Sequence, residues 1–145
     1  MLRILYLTLI SFITLHAGQA VASDLPALLA KPRILPVDQA FRVAAIREDG
    51  VVELQWQLQP GYYLYRHSLD FRIAGHAVEQ VAIPAGEKAR DEFFGDVEIY
   101  REQLVVRLGV AGKSDVLDLE VRFQGCADAG YCYPPAKKRL TAAIL

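Results

Sequence analysis

The two cysteines of this sequence, Cys126 and Cys132, are separated by five residues in the stretch FQGCADAGYCYPPAKK. A pair at such short spacing has two chemical uses. It can form a disulfide that braces a small fold, or it can act as a dithiol that passes electrons to another protein. The surrounding residues and the compartment of the protein bear on the choice between these uses.

In an exported protein, a cysteine pair is usually a structural disulfide. Closing a loop of about seven residues, however, stabilises a fold by only about 2.4 kcal/mol, toward the low end for a disulfide. The bridge also cannot be the sheet-to-sheet bond of an immunoglobulin domain, which joins strands that are far apart in sequence. On the residues alone, the structural brace and the redox dithiol both remain open.

The residues around the cysteines predict a hairpin at the edge of a sheet. Gly125, Cys126 and the following ADAG stand where an edge strand turns, so the two sulfurs should face each other across adjacent antiparallel strands. Opposed Cα atoms lie about 4.5 to 5.5 Å apart, closer than the about 5.5 to 6 Å of relaxed disulfides. We therefore expect a somewhat strained and exposed bond that is easily reduced.

The glycines and prolines of this stretch fit the same hypothesis. Gly125 and Gly130 would let the backbone of a partner approach closely, because glycine has no Cβ. Pro134 and Pro135 would stiffen the chain where it leaves the hairpin. A stiff exit would keep both sulfurs in position.

Other uses of the cysteines lack support in the sequence. Only His67 or His76 could join them at a metal, and neither has a zinc-ligand spacing. Both histidines are interpreted as ordinary surface residues. The chain also offers no obvious arrangement of Cys, His and Asn or Asp for a cysteine hydrolase. The sequence therefore predicts no metal site, and the exchange chemistry requires no cofactor.

A second candidate constellation is DEFFGD, residues 91–96, a charged turn that carries Phe93 and Phe94. In extended backbone the two rings point in different directions, so one can enter the core while the other covers a groove or the thiols. An apolar ring resting on the sulfurs would protect a thiolate from oxidation and unintended partners. The alternative is that both rings simply anchor a loop.

A third group is the aromatic cluster GYYLYR, in which alternation places Tyr63 and Tyr65 on one face of a strand. The alternative for these rings is ordinary sheet packing, which aromatic side chains favour. Four acidic residues near the phenylalanines are most simply a solvated face, although carboxylates close to a cysteine would also raise the pKa of its thiol. These four are Asp91, Glu92, Asp96 and Glu98.

The elements that must position these residues are strands. Residues 52–58 and 116–123 alternate apolar and polar side chains, the pattern of a strand with one wet face. Further strand candidates are residues 40–46, 62–65, 70–73, 77–83, 104–110 and 139–144. Turn signals separate them, among them Asp49-Gly50, Pro84 to Gly86 and Gly112. Short strands at this spacing predict an all-β fold, a two-sheet antiparallel sandwich of immunoglobulin type.

The N-terminus predicts export. Arg3 precedes an apolar run over residues 4–15, and small residues then lead to Ala20, Val21 and Ala22, an A-x-A cleavage pattern. We interpret residues 1–22 as a signal peptide, because this apolar core is shorter than the roughly 17 to 25 residues that cross a bilayer. Residues 23–36 contain three prolines and predict an extended leader on the domain surface. Residues 37–145 then form a single domain.

The charge distribution argues against two classes of partner. Lys and Arg number 16 against 17 Asp and Glu, and neither sign forms a long block. Nothing in this pattern indicates a groove for nucleic acid or contact of the domain with an anionic membrane surface.

Three stretches together are specific enough to indicate a family: WQLQPGYYLYR, DEFFGDVEIYREQL and QGCADAGYCYPP. The sequence closely resembles the N-terminal periplasmic domains of the DsbD family of transmembrane disulfide reductases, also called thiol:disulfide interchange proteins. The resemblance runs in order from about Val37 to Leu140. It implies an immunoglobulin-like sandwich in the periplasm that relays reducing equivalents.

The resemblance also implies roles for single residues. Cys126 and Cys132 match the redox pair, with Cys132 forming the mixed disulfide with partners and Cys126 resolving it. Phe93 matches the lid residue of a cap loop, and Tyr63 and Tyr65 match aromatics beside the cysteines. The remaining residues of the cap loop are Asp91, Glu92, Phe94 and Gly95.

The partners that the resemblance implies are other proteins. In the family, a thioredoxin-like C-terminal domain reduces this domain, which then reduces periplasmic disulfide isomerases and a thioredoxin-like protein of cytochrome c maturation. The family protein continues into membrane helices, whereas this sequence ends at Leu145, so we expect the electron donor outside these residues. An exported binding module with a purely structural hairpin disulfide is the alternative from another functional class.

Overall fold

The computed structural model describes residues 33–48, 50–110 and 116–143. The predicted signal peptide, residues 1–22, and residues 23–32 of the predicted leader lie outside the described residues, as do Asp49, Gly112 and Ile144. A short helix, α1 (Val37–Ala40), precedes the strands, and a 3-10 turn (Arg66–Ser68) interrupts them. The strands are β1 (Phe41–Glu48), β2 (Val51–Leu58), β3 (Tyr62–Tyr65), β4 (Asp70–Ile73), β5 (His76–Ala77), β6 (Gln80–Ala82), β7 (Glu87–Asp91), β8 (Gly95–Arg101), β9 (Gln103–Gly109), β10 (Val116–Phe123), β11 (Gly125–Ala127), β12 (Tyr131–Cys132) and β13 (Ala136–Ala143).

The described strands hydrogen-bond as antiparallel sheets in the orders β1-β2-β9-β6, β13-β10-β4-β5 and β12-β11-β3-β8-β7. The second and third sheets join end to end, since β3 leads into β4 through the 3-10 turn and β10 leads into β11 across Gln124. Ser68 fixes this junction: its hydroxyl donates to the Tyr65 carbonyl at 2.8 Å and accepts from the Gln124 N–H at 2.9 Å. The predicted antiparallel β-sandwich is confirmed, with one layer broken into two sheets.

The core lies between these layers and follows the predicted alternation. Val52, Leu54, Trp56 and Leu58 of β2 are all buried, as are Leu119, Val121 and Phe123 of β10. Trp56 packs edge-on against Phe71 and Phe123, with ring centroids 6.3 and 6.4 Å away. Burial of large apolar side chains on these inner faces is the main stabilising term of the sandwich.

Most predicted strands are present with small shifts at their ends. The exception is the strand predicted over residues 77–83, which is two strands in two different sheets. β5 pairs with β4, whereas β6 pairs with β9. Just after β5 the Val78 N–H still donates to the Phe71 carbonyl of β4 at 3.1 Å, and from Gln80 onward the chain pairs with β9 instead.

The described end of the leader, residues 33–36, has no regular secondary structure and lies against the hairpin side of the domain. The backbone N–H of Leu35 donates to the Tyr62 hydroxyl at 2.9 Å, and the Tyr133 hydroxyl donates to the Leu35 carbonyl at 2.5 Å. Within the described ranges, no helix is long and apolar enough to cross a membrane.

Candidate functional site

The two cysteines form a disulfide at the edge of the third sheet. β11 and β12 pair antiparallel, and Cys126 lies directly opposite Cys132 in their register. The Cα atoms are 4.0 Å apart. Gly130 supplies the turn with φ +83°, a backbone conformation that favours glycine. The predicted hairpin, with its sulfurs facing each other, is confirmed.

The disulfide belongs to a row of side chains that crosses the sheet. In the register of the four strands, Cys132 lies opposite Cys126, Cys126 opposite Tyr63, and Tyr63 opposite Arg101. Directly opposed residues of antiparallel strands project from the same face. The row therefore places the sulfurs, an aromatic ring and a guanidinium side by side on the face that points away from the main core.

A small second cluster of buried residues surrounds the disulfide on this face. It contains Cys126, Tyr65 and Ile99, with Tyr63, Ala89, Val97 and Cys132 packed against it. Cys126 is only 1% exposed, whereas Cys132 on the edge strand is half-buried. The expectation of an exposed bond is therefore wrong for Cys126, because its sulfur lies inside an apolar cluster that the sequence pattern did not reveal.

Gly125 has a different role from the one predicted. It is buried, and a Cβ at this position would overlap the Tyr63 carbonyl oxygen and lie 2.7 Å from the Phe41 ring. The close approach that requires glycine here is internal, between β11 and its own neighbours. The expectation that Gly125 admits the backbone of a partner is wrong.

Tyr65 lies under the disulfide and connects it to the loop between β7 and β8. Its hydroxyl donates to Asp91 Oδ2 at 2.5 Å, and Cys126 Sγ lies 3.3 Å from the Tyr65 hydroxyl oxygen. The Tyr65 side chain is fully buried, and the Tyr63 ring packs edge-on against it at 5.4 Å. The predicted placement of both tyrosines on one face, beside the cysteines, is what the structure shows.

The surroundings of Tyr65 and Asp91 determine their protonation states. Burial, followed by the hydrogen bond to Asp91, raises the pKa of the Tyr65 hydroxyl well above its usual range. The Tyr65 hydroxyl in turn lowers the pKa of Asp91, with further lowering from the backbone N–H groups of Phe93 and Phe94 and from His67. At neutral pH, Tyr65 is therefore a neutral donor and Asp91 a charged acceptor.

The loop of residues 91–95, which we name the cap loop, is organised by the same carboxylate. Asp91 Oδ1 accepts from the N–H groups of Phe93 and Phe94 at 2.7 and 3.0 Å. Gly95 closes the loop with φ +72° and pairs with Asp91 across β7 and β8. Asp91 was expected to be part of a solvated face, but it makes three hydrogen bonds that hold the cap loop to the sheet.

Neither phenylalanine of the cap loop enters the core. Phe93 is 69% exposed and Phe94 is 49% exposed, so the expectation that one ring is buried is wrong. The Phe94 ring packs against Tyr65 at 5.2 Å and against His67 at 4.9 Å. His67 is on the surface as predicted, but its ring also supports the cap loop. The role of Phe93 as the lid remains a prediction.

Two residues at the site were missed in the sequence. Arg101 forms a two-pronged ion pair with Asp128, which lies in the loop between the cysteines. Only the register of β8 on β3, which places Arg101 beside Tyr63, would have pointed to this pair. In the part of the chain that the structure describes, no three or more His, Cys, Asp or Glu side chains are grouped so that they could hold a metal ion.

Comparison with known proteins identifies the family to which this sequence is similar. A family model described as "Thiol:disulfide interchange protein DsbD, N-terminal" matches residues 31–143. DsbD of Klebsiella pneumoniae is 40% identical over 132 residues, which is 91% of this chain and 22% of that protein. DsbD 2 of Pseudomonas aeruginosa is 46% identical over 107 residues, 73% of this chain and 18% of that protein. The chain thus spans about a fifth of the length of these curated relatives.

Solved structures agree with the sequence comparison. The reduced N-terminal domain of DsbD from Neisseria meningitidis superposes with a TM-score of 0.70 at 28% identity, covering 76% of this chain and 90% of that one. A complex between the DsbD and PilB N-terminal domains from the same organism matches with a TM-score of 0.66, covering 76% of this chain and 88% of the matched one. The chain belongs to the family of the N-terminal domain of the thiol:disulfide interchange protein DsbD.

Proposed function

We propose that this chain is a protein-disulfide reductase domain that relays electrons by thiol–disulfide exchange through Cys126 and Cys132. The observation that carries the proposal is the asymmetry of the pair. One sulfur is buried in an apolar cluster, and the other lies half-buried on the edge strand of the same hairpin. Exchange requires one sulfur that a partner can reach and a second that resolves the mixed disulfide.

The partners that we propose follow the family. A thioredoxin-like donor domain outside this chain reduces the disulfide, and the dithiol then reduces periplasmic disulfide isomerases and a thioredoxin-like protein of cytochrome c maturation. We propose that the domain works in the periplasm after removal of residues 1–22. The complex of the related DsbD domain with the PilB N-terminal domain supports a protein partner docked on such a domain.

In the proposed reaction, the Cys132 thiolate attacks one sulfur of an oxidised partner. A bond forms between Cys132 and that sulfur, and the other partner sulfur leaves as a thiolate that takes up a proton. The Cys126 thiolate then attacks Cys132 Sγ, which restores the disulfide and releases the second partner thiol. The partner gains two electrons and two protons, and this domain loses the same. Reduction by the donor runs through the same steps in reverse.

The surroundings of Cys126 support its role as the resolving residue. The Tyr65 hydroxyl already donates its proton to Asp91, and its oxygen lies 3.3 Å from Cys126 Sγ in the disulfide-bonded form. Its lone pairs therefore remain to accept from the Cys126 thiol once the disulfide is reduced. An apolar environment and this acceptor both favour the protonated thiol over the thiolate. In this proposal Cys126 reacts second, because a partner cannot reach its buried sulfur, whereas the mixed disulfide at Cys132 lies beside it.

The cap loop supports control of access in this proposal. Asp91 and the ring of Phe94 hold the loop against Tyr65, next to the buried sulfur. We propose that Phe93 shields the pair and that a partner displaces it on docking. A shielded pair is protected from small oxidants and from unintended disulfides.

The test is a covalent trap. Cys126→Ala, reduced and then mixed with an oxidised thioredoxin-like domain, should accumulate a mixed disulfide through Cys132, visible by mass spectrometry. The matched variant Cys132→Ala retains only the buried sulfur and should trap far less. Absence of a Cys132 adduct, with both variants folded, would count against the proposed function and favour a purely structural disulfide.

A further inference from the structure

The guanidinium of Arg101 bridges the sheet and the loop that joins the cysteines. Its Nη1 donates to Asp128 Oδ2 at 2.9 Å and its Nη2 donates to Asp128 Oδ1 at 3.0 Å. Its Cζ also lies 5.1 Å from the centre of the Tyr63 ring. Paired hydrogen bonds of this kind fix orientation as well as distance, which a single contact does not.

A contact with Asp128 acts directly on the cysteine hairpin, because Asp128 lies between Cys126 and Cys132 in the chain. Its own N–H donates to the Gly61 carbonyl at 2.8 Å, and the Gly130 N–H donates to the Ala127 carbonyl at 2.9 Å. Through Asp128, Arg101 ties the turn of the hairpin to β8, two strands away from Cys126. The partners are 38% and 49% exposed, so water reaches this ion pair.

The hairpin needs this support most when its disulfide is open. The register of β12 on β11 covers only the pairs Cys126 with Cys132 and Ala127 with Tyr131. Once the S–S bond breaks, a ladder of two residue pairs provides few contacts that keep Cys132 opposite Cys126. The backbone bond from the Tyr133 N–H to the Gly125 carbonyl, 3.0 Å, is one remaining tie, and the Arg101 pair is another.

We propose that Arg101 is a positioning residue for thiol–disulfide exchange: by holding Asp128, it keeps the two thiols of the reduced hairpin in register. This inference rests on the proposed function. The oxidised hairpin is held by its covalent bond, so loss of the contact acts mainly on the reduced form. A looser reduced hairpin lowers the effective concentration of one thiol toward the other, which disfavours closing of the disulfide.

The experiment measures the equilibrium of the pair in a glutathione series. Two glutathione molecules give up two electrons and two protons and become one glutathione disulfide, while the Cys126–Cys132 bond opens to two thiols. Arg101→Gln and Asp128→Asn should each lower the equilibrium constant for closing about three- to tenfold. For a two-electron couple this is a rise in reduction potential of about 14 to 30 mV.

A matched control separates this effect from the loss of any surface ion pair. Arg107→Gln removes an exposed pair with Glu53, 3.1 Å apart, in the first sheet, and should leave the equilibrium unchanged. Arg101→Lys keeps the charge but loses the paired geometry, so it should fall between wild type and Arg101→Gln. The exchanged pair Arg101→Asp with Asp128→Arg should recover part of the lost constant.

The outcomes are distinguishable. A purely structural role would lower the stability of the oxidised and reduced forms equally and leave the glutathione equilibrium at its wild-type value, which would overturn this inference alone. A wild-type disulfide that no glutathione ratio opens would overturn the proposed function and this inference with it. A shifted equilibrium in both single variants, with Arg107→Gln unchanged, supports the positioning role.

Discussion

The Tyr65 hydroxyl and the Asp91 carboxylate share a hydrogen bond of 2.5 Å that joins the sheet beneath the disulfide to the first residue of the cap loop. The second oxygen of Asp91 holds the backbone of Phe93 and Phe94. One carboxylate thus connects the loop above the site to the tyrosine that contacts Cys126 Sγ. The Tyr65 hydroxyl is therefore one of the contacts that hold the cap loop against the sheet, together with the packing of the Phe94 ring on Tyr65.

Removing that hydroxyl should destabilise the protein. Tyr65→Phe keeps the ring but leaves the Asp91 carboxylate without its side-chain donor. A hydrogen bond to a charged group contributes about 1.5 to 3 kcal/mol, so we expect a loss of that size in the free energy of unfolding of the oxidised protein. Chemical denaturation of both proteins measures this loss when the unfolding free energy falls with denaturant concentration at the same slope in each.

The matched control for this prediction is Tyr100→Phe. Its hydroxyl donates to the uncharged carbonyl of Pro84 at 2.6 Å, away from the disulfide. A hydrogen bond between neutral groups contributes only about 0.5 to 1.5 kcal/mol. Equal losses in the two variants would show that the charge of Asp91 adds nothing to the Tyr65 contact.

Acid should loosen the cap loop in a defined direction. The folded pKa of Asp91 is lowered, first by the Tyr65 hydroxyl and then by the N–H groups of the loop. Its contribution to stability is therefore fully present above the unfolded pKa of about 3.9, and it is lost as the pH falls through the lower folded value. The amide resonances of Phe93 and Phe94 should shift in that acidic window.

Asp91→Asn is the control for the acid response. Its side-chain oxygen still accepts from the loop amides but does not titrate, so the two resonances should stay nearly constant over the same window. A shift of equal size in Asp91→Asn would assign the acid response to another group. Protonation of Asp91 would then not be the cause of the change in the cap loop.

The sequence predicted those parts of the fold in which burial is one-sided. β2 and β10 alternate apolar and polar side chains because one face lies in the core, and their bounds were predicted almost to the residue. β7 reads EKARD, with little apolar side chain on either face, and was missed for that reason. Its place comes from pairing with β8, which no local pattern records.

At the candidate site, too, local sequence patterns predicted what lies within a strand or hairpin but not the contacts between distant strands. The hairpin and the shared face of Tyr63 and Tyr65 follow from spacing and from the period of two along a strand. The contact between Arg101 and Asp128 joins residues 27 positions apart and depends on sheet register. Residue types alone also gave no sign that Cys126 is buried, since its cover is built from β3, β7 and β8.

Shielding by the cap loop predicts that the reduced thiols are alkylated faster when the Phe93 ring is removed. Phe93→Ala should raise the alkylation rate of the reduced thiols several-fold, because the ring is removed while the hydrogen bonds of the loop backbone remain. The free energy of unfolding should change little, since this ring is largely exposed and buries little apolar surface. Stopped-flow reaction with a small maleimide measures the rate.

Phe94→Ala is the comparison within the same loop. Its ring contacts Tyr65 and His67, so its loss should weaken the seat of the loop and lower stability as well as raise the alkylation rate. An unchanged rate in Phe93→Ala would remove Phe93 as the shield. If only Phe94→Ala reacted faster, the shielding role would belong to Phe94.

Two glycines of the hairpin should differ in what they tolerate. Gly125→Ala places a methyl group against the Tyr63 carbonyl and the Phe41 ring, both inside the sandwich. Forcing β11 away from β3 should lower the free energy of unfolding by about 1 to 3 kcal/mol or more, the usual effect of overpacking. It should also move Cys126 out of register with Cys132 and slow closure of the disulfide from the reduced form.

Gly130→Ala meets open space, and its only penalty is the left-handed backbone of the turn, φ +83°. That penalty is about 1 to 2 kcal/mol for a residue with a Cβ, and it acts on the loop between the cysteines rather than on the sheet. Denaturation of both variants in the oxidised state, where the disulfide holds the loop, should therefore show the larger loss for Gly125→Ala. The reverse order would mean that the turn, and not the fit of β11 against β3, fixes the hairpin.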